Sequence, residues 1–359
     1  MKILILSRYH RLGASSRVRF FQYIPFLEAQ GWQLDISPLL SDKYLLALYS
    51  GKSSLTEIVK GYFKRIFALM GSKNYDLLWI EKELFPFMPA FLERLATGGL
   101  PYVVDYDDAI FHRYDAHRIG LVRFLLGKKI DSLMAHASLV VAGNNYLAKR
   151  ATDAGASWVE IVPTVVDISK YKRKNRRTNT SGKVTIGWIG SPATAKYLLE
   201  LGPVIRSVSQ RFNVDFVAIG PRKDQLQDLP VKIQAWSEDK ETSLIAGFDL
   251  GIMPLPDSPW ERGKCGYKLI QYMACGLPVI ASPIGVNKEI VRDGENGFLA
   301  RNFEEWEHAL ERLITSQELR NKMGDAGRAM VEREYSLQVQ APRINEFFKS
   351  VIKNRQCVE

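Results

Sequence analysis

Short apolar strands alternate with amphipathic helical stretches along most of this chain, and this alternation constrains the fold more than any other sequence feature. In the first half, strands are predicted at KILILS, LDISPL, DLLWIEK, YVVDYD and LVVAGN, and the last elements of this half are WVEIVPT and the turn VVDISKY. In the second half, they are predicted at KVTIGWIG, VDFVAIG, VKIQAW, DLGIMPL and PVIASP. Such alternation with apolar strands is typical of parallel sheets that helices cover on both faces. We therefore predict an α/β protein.

A polar stretch, KRKNRRTNTSGK, separates the two α/β runs, and a length of 359 residues fits two domains. We predict a Rossmann-like N-terminal, acceptor-side domain over residues 1–170, a linker over 171–183 and a Rossmann-like donor-binding domain over 184–340. A C-terminal helix over 341–359 is expected to pack back on the first domain. Ligands of such sheets bind beyond the carboxyl ends of the strands, so we expect the ligand where the domains face each other.

Composition excludes several classes of protein. The chain is 46% hydrophobic and 25% charged, which is typical of a globular protein. Three cysteines and five histidines show no paired metal-ligand spacing, so we expect reduced thiols, no metal and no bound cofactor. No apolar stretch reaches the roughly 18 residues needed to cross a bilayer, and the start lacks the long apolar run of a signal peptide. We expect a cytoplasmic protein.

The formal net charge of +10 calls for a partner or a structural explanation. The pattern of a nucleic-acid module is absent, so no nucleic acid is expected. The run within KRKNRRTNTSGK is interpreted as a solvated linker. A second run accompanies IGLVRFLLGKKI, a helix with an apolar and a basic face. That helix either packs on the core or docks on anionic lipid at the inner face of a membrane. The second run consists of Arg113, His117, Arg123, Lys128 and Lys129.

Two turns that follow strands have the composition of ligand loops. In RYHRLGASSRVRF, Gly13 allows close approach of the backbone, Arg17 adds charge, and Ser15 and Ser16 are predicted to cap the next helix. The alternative is a capped helix with surface arginines.

The second turn, GWIGSPATAKYL, places Gly190 at a strand end and Lys196 in the first turn of a helix. Ser191 and Thr194 are predicted caps. A cation at this point opposes the helix dipole, which contact with a phosphate would explain. The turn is not a GxGxxG fingerprint, so a nicotinamide or flavin cofactor is not expected here.

The stretch SPWERGKCGYKLIQYMACGLPVIASPIGVNKEIVRDGENGFL, residues 258–298, resembles the donor-binding region of retaining GT-B glycosyltransferases of glycosyltransferase family 4, the glycosyl transferases group 1. Its blocks YMACGLPVIAS and GVNKEIVRDGENGFL carry the resemblance. GASSRVR, VVDYDD, VVAGNNYL, VPTVVD and FDLGIMPL extend it over nearly the whole chain. The resemblance implies a GT-B fold, in which two Rossmann-like domains face each other across a cleft.

The acidic pair of that family, Glu-x7-Glu, is missing. Its second glutamate, which holds the donor ribose in the family, falls on Gln271, and its first falls on Gly263. Gln271 keeps the ability to hydrogen-bond a ribose without the charge. Glu261, two residues earlier than Gly263, is a candidate replacement for the contact with the transferred sugar.

The helix start that binds the donor diphosphate in the resembled family is present in this sequence. Gly266, Tyr267 and Lys268 open a helix whose N–H groups should face the donor diphosphate, with Lys264 and Lys268 adding cations. The family's Arg falls on Ser191, and Lys196 roughly matches its Lys. The alternative is a basic surface turn.

In the first domain, the sugar-contacting histidine of many relatives falls on Asp107. Asp105, Asp107 and Asp108 are predicted to bind acceptor or donor hydroxyls or to orient Arg17, the alternative being a helix-start signature. Glu81 with Lys82 is a further candidate beside them. In the second domain, Trp236 and Ser237 are candidates for contact with the base.

The implied reaction moves a hexosyl group from a nucleoside-diphosphate sugar to a hydroxyl of a sugar or lipid-linked acceptor, with retention. Asp107, Lys196 and Lys268 are the predicted catalytic residues, and cations stabilise the leaving diphosphate without a metal. Cell-surface polysaccharide or lipopolysaccharide biosynthesis is the expected context.

The alternatives are a catalytically altered GT-B-like module that binds nucleotide-sugars and a nucleotide-sugar epimerase on the same fold. Asp105-Tyr106-Asp107 has the Asp-x-Asp pattern of a magnesium site. A metal is disfavoured there, because the motif lies in the first domain, away from the predicted diphosphate.

Overall fold

The computed structural model describes residues 1–52, 54–173 and 182–356, with the backbone alone at residue 356. Contacts divide the chain into two compact units. The first unit contains Met1–Thr164, Arg262–Cys265 and the C-terminal residues from Gln340 on, and the second contains Val165–Glu261 and Gly266–Val339. Part of the predicted linker, with Lys174, Arg176 and Arg177, lies outside the described residues, as does Cys357.

The first unit is built on a parallel six-stranded sheet in the order β2-β1-β3-β4-β5-β6. β3 and β4 lie in the middle and are buried at every residue, as expected of strands that helices cover on both faces. The strands are β1 (Lys2–Leu6), β2 (Gln33–Ile36), β3 (Leu77–Glu81), β4 (Tyr102–Tyr106), β5 (Leu139–Ala142) and β6 (Val159–Ile161).

The helices between these strands are shorter than the sequence pattern suggests. The stretch VRFFQYIPFLEAQG, predicted as one helix, is broken by a 3-10 turn at Phe21–Tyr23. Pro25 lies in the first turn of the next helix, where its missing N–H costs nothing. The helices are α1 (Ala14–Arg19), α2 (Ile24–Ala29), α3 (Asp42–Tyr49), α4 (Leu55–Met70), α5 (Ala90–Ala96), α6 (His112–Asp115), α7 (Gly120–Leu126), α8 (Lys129–Ala135) and α9 (Asn145–Asp153).

The second unit has its own parallel six-stranded sheet, in the order β12-β11-β10-β7-β8-β9. With both sheets parallel and flanked by helices, the predicted α/β class is confirmed. β9 ends at Gln234, so Trp236 follows the strand rather than ending it. The strands are β7 (Val184–Ile189), β8 (Val214–Ile219), β9 (Val231–Gln234), β10 (Leu250–Met253), β11 (Val279–Ala281) and β12 (Gly297–Leu299).

The helices of the second half begin with a pair that the sequence pattern predicted as one. α10 and α11 separate at Leu201, because Pro203 cannot donate the hydrogen bond that a continuous helix needs. The helices are α10 (Lys196–Glu200), α11 (Gly202–Arg211), α12 (Glu241–Ala246), α13 (Pro259–Arg262), α14 (Tyr267–Ala274), α15 (Asn287–Ile290), α16 (Phe303–Thr315), α17 (Gln317–Glu334) and α18 (Leu337–Gln356).

Most of α18 belongs to the first unit. The Phe348 ring lies 5.0 Å from the Trp79 ring of β3, and both side chains are fully buried. Trp32 Nε1 donates to Asn345 Oδ1 at 2.8 Å. Within the described ranges, no helix is both long enough and apolar enough to cross a bilayer.

Candidate functional site

Charged side chains gather at the carboxyl edge of the first sheet. Lys82 follows β3, and Asp107 and Asp108 follow its neighbour β4, so the parallel pairing brings them together. Lys82 Nζ lies 2.7 Å from Asp107 Oδ1 and 3.2 Å from Asp108 Oδ2. The same ammonium is 3.2 Å from Ser15 Oγ, and the Ser15 hydroxyl donates to Asp107. The result is a compact ammonium–carboxylate–hydroxyl cluster.

Lys82 occupies this position at a conformational cost. Its φ is 66°, in the left-handed region that non-glycine residues seldom adopt, and its side chain is buried. Burial alone would lower the pKa of Lys82, but the carboxylates of Asp107 and Asp108 raise it. Burial would likewise raise the pKa of Asp107, but Lys82 holds it below the usual value. The ion pair therefore keeps both groups charged at neutral pH.

Glu81 is buried beneath this cluster. Its Oε2 accepts from the Arg8 N–H at 2.7 Å and from the Ser16 hydroxyl at 2.6 Å. Its Oε1 is buried without a hydrogen-bond partner among the described residues, and burial raises the pKa of Glu81. Glu81 thus ties the turn after β1 to β3.

The turn after β1 differs from the prediction. Gly13, not Ser15 or Ser16, is the N-cap of α1, and no side chain among the described residues caps this helix. Ser15 binds Asp107 and Ser16 binds Glu81 instead. A Cβ on Gly13 would lie 2.4 Å from Tyr9 Cβ, so the close approach that needs glycine here is to Tyr9.

Asp105 has a structural partner. Its two oxygens lie 2.7 and 3.1 Å from the Nε and Nη2 of Arg19, and both residues are buried. Burial raises the pKa of Asp105 to about 6 despite this ion pair. The predicted partner Arg17 instead donates to the Arg11 carbonyl at 3.4 Å. Asp105 therefore orients Arg19 rather than Arg17, and its carboxylate is occupied rather than offered to a sugar.

Residues 262–265, which precede the predicted donor helix, are built into the first unit. Asn144 Nδ2 donates to the carbonyls of Gly263 and Lys264 at 3.0 Å each. A Cβ on Gly263 would lie 2.5 Å from Ala109 Cβ, so no larger residue fits at this position. Lys264 Nζ lies 3.8 Å from Asp108. Lys264, predicted to bind the diphosphate, thus faces Asp108 of the ammonium–carboxylate–hydroxyl cluster in the first unit.

In the second unit, α14 begins as predicted. Gly266 is its N-cap with φ 65°, and a Cβ there would lie 2.3 Å from Ile290 Cδ1, so only glycine fits. Tyr267 and Lys268 are half-buried and form the first turn. Lys268 Nζ lies 4.1 Å from the centre of the Trp188 ring. The N-terminus of this helix therefore lies next to a cation, and the positive end of the helix dipole together with that cation suits an anion.

One turn further, Gln271 belongs to a buried polar network. Its Nε2 donates to Glu241 Oε1 at 2.8 Å and to the Tyr171 hydroxyl at 3.1 Å. Glu241 Oε2 accepts from Trp236 Nε1 at 2.6 Å. A carboxylate from α12 therefore lies next to the amide at position 271. The predicted contact of Trp236 with a base stays a prediction, and its indole N–H is used by Glu241.

Glu261 is buried two residues before Gly263. The Tyr197 hydroxyl donates to its Oε1 and the Ser258 hydroxyl donates to its Oε2. Its role as a replacement for the absent glutamate stays a prediction.

The turn after β7 is only partly as predicted. Ser191 stands at the N-cap of a 3-10 turn, Pro192–Thr194, yet no side chain within the described residues caps that turn. Thr194 Oγ1 donates to the Ser191 carbonyl at 3.0 Å. A Cβ on Gly190 would lie 2.3 Å from the Trp188 ring. Lys196 is exposed, with its Nζ 5.2 Å from the centre of the Tyr197 ring.

The sequence patterns missed Glu241 and Asn144. Glu241 is an acid in the first turn of a short helix, a common feature that carries no functional signal. Asn144 is also the N-cap of α9, and this local role is sufficient to account for an asparagine at this position in the sequence. In the part of the chain that the structure describes, no three His, Cys, Asp or Glu side chains form a metal-binding group.

Comparison with known proteins agrees with this architecture. Residues 183–316 match the family model described as Glycosyl transferases group 1. The structure is similar to that of Anabaena Alr3699/HepE in complex with UDP-glucose, with a TM-score of 0.73 and 18% identity, over 98% of this chain and 100% of that one. It is also similar to WaaG, a glycosyltransferase involved in lipopolysaccharide biosynthesis, with a TM-score of 0.67 and 14% identity, over 97% and 99% of the two chains.

At the sequence level, the chain is 37% identical over 87 residues to spore coat protein SA of Bacillus subtilis (strain 168), covering 23% of this chain and 22% of that protein. The match thus spans about a fifth of that relative. The structural likenesses confirm the predicted GT-B fold, and residues 183–316 are similar to the Glycosyl transferases group 1.

Proposed function

We propose that this protein is a metal-independent retaining glycosyltransferase that moves a hexosyl group from a nucleoside-diphosphate sugar to a hydroxyl of a sugar or lipid-linked acceptor. The observation that carries the proposal is the group 1 match over residues 183–316, which contains the Gly266-capped helix α14. The likeness to a structure that holds UDP-glucose supports a nucleotide-sugar donor.

The first turn of α14 is the proposed site of the donor diphosphate. The positive end of the helix dipole favours an anion, and Lys268 adds a full charge. Charge develops on the diphosphate as the glycosidic bond breaks, so preorganised donors at this point lower the barrier. Lys196 is the proposed second cation, and Gln271 is the proposed contact for the ribose.

On the first unit, the cluster of Ser15, Lys82, Asp107 and Asp108 is the proposed binding site for sugar hydroxyls. Carboxylates accept hydrogen bonds from hydroxyls, and Lys82 limits their mutual repulsion. Asp107 is the proposed contact for the transferred sugar. The expected context is cell-surface polysaccharide or lipopolysaccharide biosynthesis in the cytoplasm, which the likeness to WaaG supports.

Titration of the full chain with a panel of nucleoside-diphosphate sugars, followed by incubation with sugar acceptors, tests the proposal. We expect one donor to bind, and its sugar to be transferred with retained anomeric configuration at an unchanged rate in EDTA. Loss of transfer in EDTA would contradict metal independence, and an inverted product would contradict retention. Absence of binding by every donor would overturn the proposed function.

Lys268→Ala tests the diphosphate site. Loss of a charge-assisted contact costs about 1.5–3 kcal/mol, so binding of the free nucleoside diphosphate should weaken by roughly 10- to 100-fold. Binding of the nucleoside should change little. Lys322→Ala, at an exposed residue of α17, is the matched control. Equal losses for diphosphate and nucleoside would contradict the assignment of Lys268.

A second candidate function is a module that binds nucleotide-sugars without transferring them. The absence of both glutamates of the Glu-x7-Glu pair favours this function. Position 263 has no room for a side chain, and Gln271 is uncharged. Donor binding without turnover on any acceptor would identify this module. Conversion of the donor with no acceptor present would instead identify an epimerase.

A further inference from the structure

Helix α4 exposes its apolar side chains instead of burying them. Six large apolar residues recur along it at helical spacing, and each is at least 45% exposed, with Phe67 at 68% and Met70 at 72%. Helices of globular proteins normally direct such a stripe toward the core. The stripe consists of Leu55, Val59, Phe63, Ile66, Phe67 and Met70.

The opposite face of α4 explains this orientation. A Cβ on Gly61 would lie 1.9 Å from the Leu39 carbonyl oxygen, so the helix backbone is pressed against the chain after β2. Arg65 is fully buried and donates to the carbonyls of Ser7, Ser37 and Leu84. The inward face is therefore fixed by a glycine and a polar anchor, and the apolar stripe has no place in the core.

A second exposed apolar segment lies on α7. Phe124 is 85% exposed, Leu121 65% and Leu125 62%, and Ile119 just before the helix is 50% exposed. Of the apolar residues in the last turn, Leu126 alone is buried. The sequence left open whether this helix packs on the core or on lipid, and most of its apolar side chains face away from the core.

The two helices are linked along one side of the first unit. The Tyr62 hydroxyl of α4 donates to the Pro86 carbonyl at 2.6 Å. The next residue, Phe87, is 52% exposed, and its ring lies 6.2 Å from that of His117. Arg123 of α7 donates to the His117 carbonyl at 2.6 Å. These contacts connect α4 to α7 through Pro86, Phe87 and His117. We name the exposed apolar side chains of α4, Phe87 and α7 together the α4–α7 surface.

Cations lie among these side chains. Lys60 and Lys64 are exposed on α4, and Arg118, Arg123 and Lys128 are exposed around α7. Glu57 is the acid on α4, and it is bound by Ser41 and lies 3.6 Å from Lys60. Lys129, which the sequence placed in the same basic run, is instead buried in ion pairs with Glu83 and Glu93 at 2.6 and 2.7 Å.

We propose that the first unit docks on an anionic lipid bilayer through the α4–α7 surface. Phenylalanine and aliphatic side chains flanked by lysine and arginine match the chemistry of the interface, where rings enter the acyl boundary and cations contact lipid phosphates. Charge complementarity selects the bilayer, because the exposed charges around the apolar side chains are predominantly positive. This docking goes beyond the proposed transfer reaction and does not depend on it.

Sedimentation of the full chain with vesicles tests the docking. We expect binding to vesicles of equal phosphatidylglycerol and phosphatidylcholine that weakens with added salt, and at least 10-fold weaker binding to pure phosphatidylcholine. Phe63→Ser with Phe67→Ser, and separately Phe124→Ser with Leu125→Ser, should each weaken binding at least 10-fold. Lys64→Glu with Arg123→Glu should weaken it similarly and reduce the salt dependence.

The matched controls lie on the second unit. Phe303→Ser removes an exposed ring of similar exposure, 51%, and Lys322→Glu reverses an exposed charge. Both should bind vesicles like the unchanged protein. Because all substituted residues are exposed, circular dichroism should show unchanged folding. Equal binding to both vesicle types, or α4 and α7 variants that bind normally, would overturn the proposal.

A second copy of the chain is the competing occupant of the α4–α7 surface. If Phe63→Ser with Phe67→Ser dissociates a dimer in analytical ultracentrifugation and leaves vesicle binding unchanged, the surface is a protein interface and the proposal fails. Nucleotide-sugar binding, measured on the same variants, should be unchanged, so failure of docking and failure of the proposed function remain separate results.

Discussion

Gln271 shows how one buried side chain depends on another from a distant part of the sequence. Its amide donates to the Glu241 carboxylate at 2.8 Å, and both residues are buried. A glutamate at position 271 would place two carboxylates against each other. The amide of Gln271 instead donates a hydrogen bond to the Glu241 carboxylate. The amide at position 271, where the resemblance leads one to expect a glutamate, therefore has a local physical reason, namely the carboxylate that α12 supplies.

Gln271→Glu is expected to destabilise the second unit at pH 7. Two buried carboxylates in contact cannot both stay ionised, so one must bind a proton that the unfolded chain does not hold at neutral pH. The folded variant then binds more protons than the unfolded chain, and its stability should rise as the pH falls from 7 toward 5. Urea unfolding across this pH range measures the effect, which we expect to exceed about 2 kcal/mol at pH 7.

The exchanged pair, Gln271→Glu with Glu241→Gln, is the control. It restores one amide and one carboxylate in contact, and most of the stability should return with little dependence on pH. A single variant as stable as the unchanged protein at pH 7 would show that Gln271 and Glu241 are not in contact.

Among the helices and strands, α4 shows that the absence of a side chain, at Gly61, can fix the orientation of a helix. Gly61 allows the helix backbone to approach the Leu39 carbonyl, and Arg65 fills the remaining space with hydrogen bonds. Burial lowers the pKa of Arg65 to about 10, which still leaves it charged at neutral pH. The outward apolar stripe follows from this inward polar face.

Gly61→Ala should displace α4. The added methyl group would lie 1.9 Å from a backbone oxygen, which cannot move as a flexible side chain can, and overpacking of this kind typically costs about 1–3 kcal/mol. Thermal unfolding should show a lower midpoint. Gly71→Ala at the C-cap of the same helix is the matched control, because its nearest neighbour would lie at 3.7 Å and its φ is −85°. Similar midpoints for both variants would contradict the close packing at Gly61.

At the scale of the whole molecule, the last helix completes a core that begins more than two hundred residues earlier. α18 supplies Phe348 to Trp79 of β3 and Asn345 to Trp32. The helix that completes the first unit is thus separated from the rest of that unit by nearly the whole second unit in sequence. The core of the first unit therefore includes side chains from α18.

Phe348→Ala should destabilise the first unit by about 3–5 kcal/mol, because it leaves a cavity against the buried Trp79. Urea unfolding followed by tryptophan fluorescence measures this loss. The neighbouring Phe347→Ala is the control: Phe347 is only half-buried and its ring lies 5.9 Å from that of Trp158, so the loss should be smaller. Equal losses would contradict the central place of Phe348 in this core.

The α/β class, the approximate positions of most strands and the start of α14 at Gly266 could be predicted from the sequence, whereas β12 could not. These features depend on local periodicity, on glycine conformation and on helix capping, which neighbouring residues decide. Two stretches predicted as single helices are each interrupted, although the apolar pattern across them is continuous. Pro203 explains the second interruption locally, and Pro25 lies in the first turn of the helix that follows the first one.

Which charged side chains pair with each other could not be predicted from the sequence. Asp105 pairs with Arg19 rather than Arg17, Lys82 joins Asp107 and Asp108, and Lys129 is buried rather than exposed. Sheet order brings the ends of β3 and β4 together, and Glu241 reaches Gln271 from another helix. Burial and pairing depend on residues far apart in the sequence, so periodicity, which records only which face of an element is apolar, cannot specify them.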